Sequence, residues 1–192
     1  MKEKLTYVVL GAGGTGGPIG GFLARAGLNV TLIARGRHLE AMRREGLTIR
    51  FQDESVTIPV QALTAEEYRD TPDVIFVCVK GYSLDDAISF IKKAASPGTV
   101  VIPILNLYGT GGRLQEALPG LTVTDGCIYI AAEIENPGNI RMSGRIFRVV
   151  YGLRKGTSEE VRKRVMPVLK KIESDLKTAG ILPILSSCIE RD

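Results

Sequence analysis

An apolar run, Leu5-Thr6-Tyr7-Val8-Val9-Leu10, passes without a spacer into Gly11-Ala12-Gly13-Gly14-Thr15-Gly16-Gly17-Pro18, and a stretch of small and apolar residues begins at once. A strand that ends in such a turn and feeds a helix leaves few folds open. Gly11 permits the tight turn, Gly13 lets the backbone come close to a pyrophosphate, and Gly16 lets the helix pack tightly on the strand. The free N–H groups and the positive end of the helix dipole then face the phosphates, and Pro18 suits a first helical turn, where no N–H is needed. A lone G-x-G-x-x-G string recurs in many loops. Its place between strand and helix is what reads as a dinucleotide cradle, with Gly11, Ala12, Gly13, Gly14, Thr15 and Gly16 as its residues.

The tip of the next strand, Asn29-Val30-Thr31-Leu32-Ile33-Ala34, is where a chain selecting NAD offers Asp or Glu to the adenosine ribose. This chain offers Arg35. A guanidinium pairs with a 2′-phosphate, so the position favours NADP. The alternative is that Arg35 is an ordinary surface cation, like its neighbours Arg37, Arg43 and Arg44.

Strands and helices alternate along the rest of the chain. Residues 36–45 read as a helix, and Leu47-Thr48-Ile49-Arg50-Phe51 and residues 55–60 as short alternating strands. The run 73–79 is nearly continuously apolar, as in a central parallel strand covered on both faces. Ser83 is placed to cap a following helix whose inner stripe is Leu84, Ala87, Ile88 and Ile91. Residues 98–105 and 121–132 read as further strands. Asn136-Pro137-Gly138 marks a turn before an antiparallel addition from 140–142 and 146–151. A helix over 157–179 carries Val161, Val165, Val168, Leu169, Ile172 and Leu176 inward, with Pro167 predicting a kink or break. Gly180 stops it, and Ile181-Leu182-Pro183-Ile184-Leu185 reads as an edge strand. The fold class is α/β, a doubly wound, Rossmann-type, mostly parallel sheet with a late antiparallel addition.

Charge and cysteine usage narrow the function. Lysine and arginine number 25 against 21 acids, dispersed and without a basic stripe, which argues against nucleic acid. The mixed charge of the 157–179 helix argues against a membrane surface. Met1-Lys2-Glu3-Lys4 leads straight into the first strand with no signal peptide, and no apolar run is long enough for a bilayer, so the cytoplasm is the expected location. Cys78, Cys127 and Cys188 are scattered and read as buried thiols; with His38 the one histidine, no metal site is expected.

The ordered set Gly11-Ala12-Gly13-Gly14-Thr15-Gly16, Arg35, Val77-Cys78-Val79-Lys80, Asn106 with Gly109, Tyr129-Ile130-Ala131-Ala132-Glu133-Ile134 before Pro137-Gly138, and Ala179-Gly180-Ile181 resembles the ketopantoate reductase (2-dehydropantoate 2-reductase) family. The resemblance implies reduction of a small 2-keto acid, ketopantoate, to pantoate with NADPH on the way to pantothenate and coenzyme A. It places Lys80 and Asn106 near the nicotinamide and its ribose, Asn106 as a substrate- and cofactor-positioning residue. Both follow the carboxyl ends of expected parallel strands, where open α/β sheets hold ligands. A solvent-facing lysine and a local turn cap are their plainer readings.

Two departures matter. The family commonly has glycine directly after the asparagine, and here Leu107-Tyr108 intervene before Gly109. Family members also carry a helical second domain with the catalytic lysine, and Lys155, Lys163, Lys170, Lys171 and Lys177 do not match its motif. The expected organisation is a NADP-binding domain over residues 1–185, with 186–192 beginning the connection to a domain outside this chain. Alone, the chain is expected to bind NADPH without appreciable turnover. Another NADP-dependent 2-keto or 3-hydroxy acid reductase, or a non-enzymatic NADP(H)-sensing module, fits the same residues, and a homo-oligomer stays open.

Overall fold

The computed structural model describes residues 4–51, 54–187 and 189. The reading of Cys188 as a buried thiol, the connection at 190–192 and the leader-free residues 1–3 lie outside that set.

Six strands form a parallel sheet in the order β5 (Gln61–Leu63), β2 (Asn29–Ile33), β1 (Thr6–Leu10), β6 (Val74–Val77), β7 (Val100–Pro103), β8 (Thr122–Asn136). β6 and β7 are short and wholly apolar because both faces are covered. On β1, Tyr7 and Val9 enter one core with α1 (Gly16–Arg25), α2 (Gly36–Glu45) and α5 (Glu159–Thr178). Val8 and Leu10 enter the other with α3 (Leu84–Ala94) and α4 (Thr110–Ala117). Val74 and Phe76 against Ile75 and Val77 repeat the alternation on β6, so the period of two sorts each strand between two helical layers.

The addition beyond β8 is larger than the sequence suggests. β8 runs for 15 residues and turns at Pro137-Gly138 into β9 (Asn139–Leu153), also 15 residues and antiparallel to it. The expected segments at 140–142 and 146–151 are therefore one strand. The first half of β9 carries β3 (Leu47–Phe51) in parallel, and β3 carries β4 (Glu54–Ile58) antiparallel. The second half of β9 carries β10 (Leu182–Leu185) in parallel. Pairing continues to Ser186, which is buried and whose N–H donates to the Tyr151 carbonyl.

Three local expectations are corrected. Pro167 does not break α5, which is one helix of 20 residues. Pro167 is exposed, so the carbonyl deprived of its partner faces water. Ser83 stands at the N-cap of α3, but its side chain makes no capping bond; a 3₁₀ turn, Gly81–Ser83, leads in, and Asp85 and Asp86 meet the helix dipole. α4 and β5 are absent from the sequence reading. Underneath, a buried polar knot joins the last helix to the first strand. The Tyr7 hydroxyl donates to Asp175 Oδ2 at 2.5 Å, and Lys171 pairs with the same carboxylate, which is 3% exposed.

Candidate dinucleotide-binding site

The chain leaves β1 through α1 to β2 on one side, then returns to β6 on the other, so the carboxyl ends of β1 and β6 form a topological switch point. The glycine turn sits there. Gly11 has φ +98°, a conformation that excludes other residues without strain, and the Gly11 and Ala12 N–H groups donate to the Ile33 carbonyl at the end of β2. A Cβ on Gly16 would lie 2.1 Å from the Gly11 carbonyl oxygen and 2.8 Å from Cys78 Cβ, so α1 presses against the sheet edge where only hydrogen fits. A Cβ on Gly13, in contrast, would meet nothing within 4 Å. The open side of the turn is thus above Gly13 at the start of α1, where backbone N–H groups point outward and an anion is favoured.

Arg35 occupies the N-cap position of α2 in extended conformation, two residues past the end of β2. It is exposed and has no ion-pair partner among the described residues. Two of its three neighbours are spoken for, since Arg43 pairs with Glu67 and donates to the Ala62 carbonyl and Arg44 pairs with Glu45, while Arg37 is exposed and, like Arg35, has no ion pair among the described residues. Arg35 therefore stands apart from Arg43 and Arg44, although the sequence offers all of them equally.

Lys80 follows β6, exposed, at the start of the 3₁₀ turn. Cys78 lies just before it, and burial pushes its thiol well above the usual range, which leaves it an inert packing group. Asn106 follows β7 with both ends of its amide engaged. Its Nδ2 donates to the Ile128 carbonyl at 2.9 Å, and its Oδ1 accepts from the Ile128 N–H at 3.1 Å. β7 and β8 pair through Val101↔Val123, and Asn106 bridges the gap beyond, as a surrogate rung. It acts as a cross-strand clamp and fixes where its loop stands. Leu107 and Tyr108 on that loop are 59% and 95% exposed, Tyr82 is 85% exposed, and Leu107 lies 3.5 Å from the Cβ position of Gly81. Arg35, the glycine turn, Lys80 and Asn106 all lie past the carboxyl ends of neighbouring strands.

The sequence reading missed two contributors. The long hairpin passes over the glycine turn, with the Ala132 carbonyl oxygen 2.3 Å from the Cβ position of Gly14. His38, read only as a lone histidine, bridges the two: its Nε2 lies 2.9 Å from the Ala12 carbonyl oxygen, and Gly138 N–H donates to its Nδ1 at 2.9 Å. Burial holds its pKa below the ordinary imidazole value. Nothing near residue 38 in sequence announces a partner 100 residues away. Among the described residues no group of three His, Cys, Asp or Glu side chains could hold a metal ion, and no helix is long and apolar enough to cross a membrane.

Residues 7–156 match the family described as Ketopantoate reductase PanE/ApbA. The chain is 34% identical over 155 residues to the 2-dehydropantoate 2-reductase of Pyrococcus horikoshii, covering 81% of this chain and 50% of that protein. It is 29% identical over 188 residues to the uncharacterized oxidoreductase YkpB of Bacillus subtilis, covering 98% and 59%. The crystal structure of 2-dehydropantoate 2-reductase from Porphyromonas gingivalis superposes with a TM-score of 0.82 at 30% identity, covering 98% of this chain and 66% of that one. The chain spans 50% and 59% of the length of these two curated relatives. The match over residues 7–156, together with a doubly wound sheet carrying its glycine turn at the switch point, shows that the chain belongs to the ketopantoate reductase PanE/ApbA family.

Proposed function

We propose that this chain binds NADPH and forms the cofactor-binding part of a reductase whose substrate is 2-dehydropantoate. The observation that carries the cofactor assignment is Arg35: an exposed guanidinium without an ion pair among the described residues, two positions past the end of β2, where an NAD-selective site has a carboxylate. The turn fits the group, since the space above Gly13 is free for a pyrophosphate that a methyl there would obstruct. When bound, NADPH supplies the hydride. The chain's residues bind and orient: Gly13 to Gly16 N–H groups meet the diphosphate, Arg35 the 2′-phosphate, and Lys80 lies at the crevice toward the nicotinamide ribose. Asn106 keeps its loop against β8, with one amide hydrogen and one lone pair left for ribose or keto acid.

The glycine turn, Arg35 and Lys80 past the carboxyl ends of neighbouring strands support assigning it the cofactor part of the reaction. The 192-residue polypeptide is expected to take up NADPH without appreciable reduction of 2-dehydropantoate. Calorimetry on the chain tests the core of this. Arg35→Ala should weaken NADPH by about tenfold to a hundredfold, the range for a charge-assisted bond, and leave NADH unchanged. Equal losses for both nucleotides would assign Arg35 to structure, and no uptake of either would remove the reading.

A second substrate class is favoured by one observation. Leu107 and Tyr108 stand exposed where the related motif has glycine, and with Tyr82 they give the crevice an apolar rim. That rim suits a 2-keto acid with a bulkier apolar side chain. A screen of aliphatic and aromatic 2-keto acids on the complete enzyme separates the two.

A further inference from the structure

The glycine turn is held from two directions. From below, the Gly11 and Ala12 N–H groups bond the end of β2. From the side, His38 holds the Ala12 carbonyl and, through its other nitrogen, the Gly138 N–H at the tip of the hairpin. The tautomer follows from the partners. A backbone N–H can only donate, so Nδ1 accepts and is unprotonated; Nε2 then carries the hydrogen and donates to Ala12. The bridge exists only for neutral imidazole, because a proton on Nδ1 would face the Gly138 N–H donor to donor.

We propose that His38 is a positioning residue for the dinucleotide turn, coupling cofactor affinity to the anchoring of the β8–β9 hairpin and weakening cofactor binding when its imidazole is protonated. This rests on the reading of the turn as a dinucleotide site. The peptide joining Ala12 to Gly13 is planar and trans, so its C=O and N–H point in opposite directions. Holding the Ala12 carbonyl toward His38 therefore aims the Gly13 N–H away from it, and Gly13 is the position whose surroundings are open. His38 also lies three residues from Arg35, so the same clip fixes the start of the helix that presents the guanidinium.

The surrounding charges leave the imidazole as the group titrating here near neutrality. On its own helix Arg35, Arg37 and Glu40 are exposed. The glycine turn, residues 11–15, and the hairpin turn, residues 136–139, contain no titratable side chain. On the adjoining strands, Glu133 pairs with Arg141 and Glu135 with Arg50. Burial holds the His38 pKa below 6.5 in the folded chain, with the bond to Ala12 opposing it. The bridge is therefore intact at neutral pH and above, and is lost as pH falls below 6.5 and through the lower folded value.

Binding of NADH and NADPH to the full 192-residue chain, measured by fluorescence between pH 5 and 8, tests this. NADH is the decisive probe, because the 2′-phosphate of NADPH itself titrates near pH 6. In the wild-type chain NADH affinity should fall toward acid pH, by up to about tenfold per pH unit once His38 titrates. His38→Gln carries an amide that offers both an acceptor and a donor without titrating. It should bind NADH at pH 7.5 within about twofold of wild type and show no acid loss. His38→Ala should bind more weakly throughout, also without pH dependence, and Gln rather than Ala should restore affinity. A flat wild-type NADH profile, or an equal acid loss in His38→Gln, would overturn the inference while leaving nucleotide binding established. Failure of the wild-type chain to bind either nucleotide at pH 7.5 would instead overturn the underlying reading. Should His38→Ala fail to fold, the Gly138 amide resonance in the nucleotide-free wild type decides: a titration shared with the imidazole and missing in His38→Gln supports the bridge, and its absence refutes it.

Discussion

Gly13 and Gly16 belong to one motif yet should respond oppositely to the same substitution, and this separates a cradle from a mere tight turn. In Gly16→Ala the new methyl would stand 2.1 Å from the Gly11 carbonyl oxygen and 2.8 Å from Val9 Cγ1. Restoring ordinary contact near 3.5 Å requires α1 or the strand end to move by more than about 1 Å. The obstacle includes backbone, so the cost should lie toward the upper end of overpacking, about 3 kcal/mol. For a chain of this size that lowers Tm by about 6–12 °C. In Gly13→Ala the methyl meets nothing within 4 Å, and Gly13 is not among the glycines with positive φ. The folded chain should gain about 0.4–1 kcal/mol from the reduced freedom of the unfolded state. Dinucleotide affinity should nevertheless drop tenfold or more, about 1.4 kcal/mol, because the methyl takes the space a pyrophosphate needs. Urea denaturation and NADPH titration on the same two proteins read both quantities. If Gly13→Ala binds like wild type, or if both variants lose stability alike, the assignment of open space above Gly13 to the cofactor is wrong.

Asp175→Ala should cost about 3 kcal/mol in urea denaturation, since it leaves the buried Tyr7 hydroxyl and the Lys171 ammonium without their acceptor. Tyr7→Phe should cost about 1 kcal/mol, and the double variant less than the sum of the two; strict additivity would mean that the knot is not coupled. Asn106→Ala should speed hydrogen exchange at the Ile128 amide by about fivefold or more, because that amide loses its acceptor. Unchanged exchange would show that the clamp contributes nothing to holding β8.

The central sheet was legible because its physics is local. The run 73–79, apolar at nearly every position, has one stable home, a strand covered on both faces, and residues 36–45 match α2 to the residue. The parts that were not legible depend on partners distant in the chain. β5 has three residues, too few to show a period, and exists because β2 offers it an open edge. α4 carries two glycines in its first turn and buries Leu114, so it lacks an apolar stripe. β9 looked like two segments because Ser143-Gly144-Arg145 interrupts its alternation, and Gly144 has φ +86°. Pairing with β8, which shifts register between Tyr129 and Ala131, absorbs the interruption.

The same division explains which site residues a sequence can nominate. Arg35 and Lys80 are exposed, and Gly13 has open space at its Cβ position, so the fold does not dictate their identities. Gly16, Asn106 and His38 do answer to the fold: Gly16 to the approach of α1, Asn106 to the gap where β8 leaves β7, His38 to the tip of the hairpin. Substitutions in the first group should change affinity with little change in stability. Those in the second should change both, because the backbone groups that meet a phosphate are aimed by the contacts that hold the sheet edge together. On the proposed reading a glycine string nominates the cradle, while its aim comes from an imidazole and a hairpin that the string does not contain.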